Sequence, residues 1–186
     1  MRPIQRAALI PIDMQRGFDM PPWSPTSEPG LDAHGRQLLA AWRRKGWPVI
    51  HVRHDSITES SNLLPGKPGH AFREGFEPAD GEAVIGKTVN AAFIGTDLEL
   101  RLRRLGIDTV VLFGMTADMC VSTTARVASN LGYRTLVVAD ACAAFDLPDE
   151  NGIPIPARDI ARAHMATLRA EFAETPTTAE LTGALS

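Results

Sequence analysis

Short runs of apolar, mostly β-branched residues alternate along the chain with longer segments whose apolar positions recur at helical spacing. The runs at 7–12, 48–52, 83–85, 109–113 and 134–139 predict strands, and the periodic segments at 31–45, 96–105, 117–131 and 157–172 predict helices. In the first helix Leu38, Leu39 and Trp42 share a face, and Gly46 follows as the cap glycine. In the second, Leu98, Leu102 and Leu105 share a face and Gly106 closes it; Gly132 ends the third. Strands that are apolar throughout, separated by helices, predict a parallel sheet covered on both faces. Pro11 lacks an N–H for a ladder, so the first strand is expected at an edge or near its end there. Residues 55–81 form a polar stretch rich in Ser, Pro and Gly, long enough to be functional rather than connective. A Thr-rich tail follows the last helix, and no internal repeat or linker interrupts the pattern.

Composition narrows the class. The 186 residues fit one domain over 1–186. A content of 44% hydrophobic and 22% charged residues supports a core and excludes a disordered or collagen-like chain. With 19 basic against 22 acidic residues the net charge is −3, which offers no footprint for nucleic acid or an anionic membrane. Two cysteines are too few for a disulfide framework. The apolar run before Asp13 is too short for a signal peptide, and none approaches the roughly 20 residues that span a bilayer. The expected compartment is the cytoplasm.

In open parallel sheets ligands collect outside the carboxyl ends of the strands. Four such ends carry chemistry: Asp13 after the first, Arg53, His54 and Asp55 at the second, Lys87 after the third, and 114–120 after the fourth. Cys120 falls in the first turn of a predicted helix, where the dipole favours a thiolate and free N–H groups suit an oxyanion. A small buried hydrophobe is the bland alternative, and position alone divides the two evenly. Cys142 has no helix start beside it and reads as structural. Asp13 reads as a general base or a turn cap, and Lys87 as its cation or a snorkelling surface lysine. Their convergence with Cys120 on one edge favours the chemical readings. His51 and His54 lie three apart on a strand and its end, which puts them on opposite faces, one in the core and one on a pocket wall. Residues 81–88 match a P-loop pattern, but no strand precedes Gly81 and the inner residues are themselves the strand.

The segments Ile12-Asp13-Met14-Gln15-Arg16-Gly17-Phe18, Val84-Ile85-Gly86-Lys87 and Gly114-Met115-Thr116-Ala117-Asp118-Met119-Cys120-Val121 resemble the isochorismatase-like cysteine hydrolases, which include nicotinamidases, N-carbamoylsarcosine amidases and ureidoacrylate hydrolases. The resemblance runs from about residue 7 to residue 175. It implies a three-layer α/β/α sandwich on a mostly parallel sheet of about six strands. It further implies Asp13 as base, Lys87 as its cationic partner and Cys120 as nucleophile. A cis peptide at Met115–Thr116 is implied to aim the Thr116 and Cys120 N–H groups at the oxyanion. Phe18, Trp23, His54, Asn90 and Phe93 become pocket walls. A small amide-like substrate, no cofactor, and a homodimer or homotetramer complete the expectation. Two departures sharpen it. Nicotinamidases carry an Asp-x-His metal motif where this chain has Val52-Arg53-His54-Asp55, so no metal is expected. True isochorismatases lack the cysteine, so C–N cleavage is favoured over enol-ether hydrolysis. Near Trp23, the stretch 24–28 replaces an Arg-Asn-Asn-like segment. The rival expectation is a non-catalytic binding or scaffold member of the same fold.

Overall fold

The structure, a computed structural model, describes residues 3–23 and 26–185. Ser24 and Pro25, the start of the 24–28 departure, lie outside the described residues. Five parallel strands form the sheet in the order β3-β2-β1-β4-β5: β1 Ala8–Ile12, β2 Ile50–His54, β3 Ala83–Lys87, β4 Thr109–Met115 and β5 Arg134–Ala143. The helices are α1 Leu31–Lys45, α2 Leu98–Arg104, α3 Ser122–Asn130, α4 Ala157–Glu171 and α5 Thr178–Gly183. From β1 the sheet grows one way through α1 and the other way through α3. Right-handed crossovers in opposite directions put the two helices on opposite faces. α5 packs beside α1, and α4 beside α3, which completes the three layers. β1 and β4 are buried at every residue because helices cover both of their faces.

Pro11 does not mark an edge. β1 lies between β2 and β4, in the middle of the sheet. The Leu9 and Asp13 N–H groups donate to Pro48 and Val52 on the β2 side, at 2.9 Å each. Alternate residues of a parallel strand face the same neighbour, so Pro11 also faces β2. The β1–β2 ladder is accordingly interrupted there, with pairs at Leu9–Val49 and Ile12–Val52, whereas all five residues pair with β4. The proline removes one rung from one side, which a central strand tolerates.

The sheet has five strands, not six. The sixth position, beside β5, is held by an extended stretch at 174–176. It exchanges three backbone hydrogen bonds with β5: Val137 N–H to Glu174 O, Glu174 N–H to Thr135 O, and Ala139 N–H to Pro176 O, at 2.9–3.0 Å. Pro176 has no N–H to return, and Thr177 then turns the chain into α5 through a capping box with Glu180. The pairing stops at a single bridge, Leu136–Glu174.

Gly114 shapes the top of the sheet. Its φ is 127°, and a Cβ there would overlap the carbonyl oxygen of Ile12. The β4–β5 register shifts between Leu112 and Gly114. Only glycine allows the ends of β1 and β4 to approach so closely, and these ends carry Asp13 and the turn to Cys120.

Candidate active site

Asp13 leaves β1 in the left-handed region, with φ 51°. A non-glycine residue held there costs on the order of 1 kcal/mol or more and is characteristic of functional positions. Its carboxylate is fully buried, as is the Lys87 side chain at the end of β3. The Lys87 ammonium donates to Asp13 Oδ2 at 2.7 Å, to His54 Nδ1 at 3.1 Å and to Cys120 Sγ at 3.3 Å. Its three N–H groups therefore have three acceptors, drawn from the ends of β1 and β2 and from the turn after β4. That turn begins with a cis Met115–Thr116 bond and continues as a π turn over Ala117–Val121, where Val121 N–H reaches back to Thr116 O at 3.1 Å. Cys120 thus sits in a π turn before α3, not in the first turn of an α-helix. Asp13 Oδ1, Thr116 Oγ1 and Asp118 Oδ1 are buried and have no hydrogen-bond partner among the described residues.

Electrostatics oppose one expectation. Burial pushes the Cys120 thiol up to about 12, and the adjacent Asp13 charge adds to the rise. Burial and Asp13 therefore work against the thiolate that a helix dipole would favour. Cys142, inside β5, is also pushed up to about 12 by burial. Acidity does not separate the two cysteines; the company of Asp13 and Lys87 does. Burial raises the Asp13 carboxyl above its ordinary value, against the opposing pull of Lys87. A carboxylate raised in this way is a better proton acceptor. Burial and then Lys87 lower the His54 imidazole.

The amide of Gln15, a fully buried residue that sequence reasoning missed, holds His54 in place. Gln15 Oε1 accepts from His54 N–H at 2.9 Å, and its Nε2 donates to His54 O at 3.2 Å and to His70 O at 2.9 Å. Asp55 N–H donates to Lys87 O at 2.8 Å, while the Asp55 carboxylate accepts from Arg53 at 2.9 Å and contacts His70 Nε2 at 2.6 Å. The 55–81 stretch is thereby clipped to the site. His51 points to the other face, fully buried and paired with Glu82 at 2.8 Å. Glu82 also binds Arg43 and the Ala79 N–H, which hold its carboxyl at about 2. No phosphate loop forms at 81–88, since β3 fills its interior and α2 starts only at Leu98.

Phe18 and Trp23 stand with ring centroids 5.2 Å apart, and both meet Phe145, at 5.8 and 4.8 Å. Phe145 follows the end of β5, whose Ala143 pairs with Met115, so this aromatic group borders the same sheet edge. Phe145 escaped the sequence reading because β5 runs four residues beyond the predicted strand, through Ala143. The other two expected walls are placed differently. Phe93 packs on Tyr133, at the foot of β5, with centroids 5.8 Å apart. Asn90 is exposed and its carbonyl accepts from Thr124 at 3.4 Å.

Asp13, His54 and Cys120 offer ligand atoms within 4.8 Å of one another, a spacing compatible with a metal ion. The Lys87 ammonium, however, contacts all three and fills their shared centre. At the Asp-x-His position, Asp55 is engaged by Arg53 and His70. The donor set does not fit a resident metal. Exhaustive chelation should therefore leave hydrolytic activity unchanged; loss of activity together with a stoichiometric metal, restored by that metal, would overturn this reading.

A parallel α/β sandwich with a buried aspartate, lysine and cysteine at the carboxyl edge defines a class of cysteine hydrolase. The Isochorismatase domain matches residues 7–180, and the chain belongs to the isochorismatase family. It is 41% identical over 177 residues to the uncharacterized isochorismatase family protein YrdC of Bacillus subtilis, covering 95% of each chain. A crystal structure of an isochorismatase-family hydrolase from Chromobacterium violaceum superposes with a TM-score of 0.94 at 38% identity, covering 100% of this chain and 98% of that one. Maleamate amidohydrolase of Pseudomonas putida is 32% identical over 153 residues, 73% of this chain and 71% of its own. Among the described residues no helix is long and apolar enough to cross a membrane.

Proposed function

We propose that the chain is a single-domain hydrolase that cleaves an amide or carbamoyl C–N bond of a small molecule through a thioester on Cys120. The observation that carries this reading is the Lys87 ammonium bonded at once to Asp13 Oδ2 and Cys120 Sγ. It ties a buried base to a buried thiol through one cation. The amidohydrolase among the relatives supports the choice of bond.

Asp13 removes the thiol proton as sulfur attacks the carbonyl, so that a thiolate need not accumulate in the resting protein. The backbone N–H groups of Thr116 and Cys120 hold the oxyanion, a contribution of about 3–4 kcal/mol per donor in comparable sites. The protonated Asp13 then gives its proton to the leaving nitrogen as the C–N bond breaks. Water attacks the thioester, Asp13 takes its proton, and the proton returns to sulfur as the acid departs. Phe18 and Trp23, with Phe145 behind them, line the acyl side. The family resemblance extends the proposal to a homodimer or homotetramer, which light scattering of the purified chain would test.

Intact mass after rapid quench with an activated ester tests the proposal. One acyl group is expected on Cys120, and it should persist in Asp13→Asn, which lacks the base for water attack. An adduct confined to Cys142, or none at all, would overturn it. Ammonia release from a panel of small amides and carbamoyl compounds, maleamate and nicotinamide included, would then rank substrates.

A further inference from the structure

His54 is half-exposed, whereas Asp13 and Lys87, which it touches, are fully buried. Its ring therefore reaches from the buried cluster toward solvent. An ammonium has donors only, so His54 Nδ1 must accept from Lys87, and a neutral imidazole that accepts at Nδ1 carries its proton on Nε2. Nε2 has no partner among the described residues, nor is it among their buried unpartnered atoms. It is a fixed donor left open to an incoming molecule. The base of the ring is equally fixed, because the Gln15 amide clamps both main-chain groups of His54.

The charged groups facing the ring are Lys87, Asp13 and Asp55. Burial and then Lys87 oppose a positive charge on the ring and outweigh Asp13 and Asp55, the latter paired with Arg53 and bonded to His70, so the imidazole stays neutral at pH 7. The cluster thus has one cation, Lys87, whose three N–H groups are all engaged. A second anionic group on a substrate would meet the Asp13 carboxylate and find the cluster's ammonium already committed to three acceptors. A neutral acceptor, such as a carboxamide or ester carbonyl or a ring nitrogen, would meet an N–H that nothing else occupies.

We propose that His54 is the site's substrate-recognising donor, locked by Lys87 as the Nε2–H tautomer, and that it selects amides bearing a second, neutral hydrogen-bond acceptor over amides bearing a carboxylate. This rests on the reading of Cys120 as the acylated residue, but its test is separate. Long-range proton–nitrogen NMR of the full chain labelled with nitrogen-15 histidine reads the tautomer without turnover. The expected spectrum shows His54 protonated at Nε2 and bare at Nδ1 at pH 7. An Nδ1–H tautomer or an imidazolium would overturn the proposal.

Kinetics supply the second arm. Succinamide is expected to exceed both succinamate and butyramide in kcat/KM by about three- to tenfold, the worth of one hydrogen bond from a partly exposed donor. In His54→Leu the succinamide-to-butyramide ratio should fall to about one, mainly through KM, and His54→Gln, which keeps an N–H donor, should restore part of it. An unchanged ratio in His54→Leu, or a wild-type preference for succinamate, would refute the assignment. Failure of the parent reading would show itself elsewhere, as absence of the acyl adduct on Cys120.

Discussion

Cys120→Ser is expected to lower kcat/KM by about 10³-fold or more, or about 4 kcal/mol of transition-state stabilisation, with no comparable change in the thermal midpoint. The exchange of sulfur for oxygen keeps the shape and leaves the Lys87 N–H an acceptor. What it removes is a proton that Asp13 can take. Burial already pushes the thiol up to about 12. A hydroxyl in the same place is a weaker acid still, and a carboxylate base cannot bridge that gap even when burial has raised it. Cys142→Ser is the control. Cys142 is buried and its thiol is likewise pushed up to about 12, but its acidity is set by burial, the Gly114 backbone and Asp140. Serine there should cost about 1–3 kcal/mol of stability for burying a poorly satisfied hydroxyl and leave the kinetics of the folded protein alone. Steady-state kinetics and thermal melts on both variants separate the roles. More than a tenth of the activity left in Cys120→Ser, or equal losses in the two variants, would sink the assignment.

The strand-end rule made Asp13, Lys87 and Cys120 legible, because in a parallel sheet the residue after an apolar run has only one edge to go to. The same rule does not say which way a side chain turns. Lys87 read equally well as a surface lysine, and its complete burial depends on Asp13 arriving from two strands away. Gln15 was invisible for a related reason. A buried amide is marked by what it bonds, and its partners, His54 and His70, lie 39 and 55 residues off. Pro11 does stand next to the end of β1, as one of its two readings had it, and only the edge reading failed, because it counts N–H groups without asking which side of the strand each serves. The Thr-rich tail hid both the stretch beside β5 and α5, which is too short to show a period but long enough for the Thr177–Glu180 box. Phe93 and Asn90 came from the family pattern rather than from a strand end, and the structure places Phe93 against Tyr133 and leaves Asn90 exposed.

Lys87→Met should be the other severe change, and its signature is a pH dependence. Methionine fills a similar length without charge, so the loss is electrostatic. Rates at neutral pH should fall by roughly 10²–10³-fold, as for removal of a preorganised donor. Lys87 is the largest influence holding the Asp13 carboxyl down against burial. Without it the carboxyl rises further, and because the base must be ionised, the acidic limb of the pH–rate profile moves to higher pH. Stability follows the same linkage. A carboxyl whose folded value lies above its unfolded value of 3.8 binds more protons when folded. Its stabilisation is therefore present at acid pH and is lost as pH rises through the folded value. The difference in unfolding free energy between variant and wild type should be small near pH 4 and grow toward neutrality. There, an unpaired buried carboxylate costs about 3–5 kcal/mol. The contributions of Glu82, Asp55 and His51 cancel in that difference, whereas His54, which Lys87 holds down, adds a contribution of its own. Denaturant unfolding from pH 4 to 8 measures it, and Asp13→Asn/Lys87→Met, which also lacks Lys87 beside His54 but has no carboxyl at 13, is the reference against which the Asp13 part of the slope is read. A difference that stays flat across that range, or one that shrinks toward neutral pH, would show that Asp13 and Lys87 are not the coupled buried pair on which the mechanism depends.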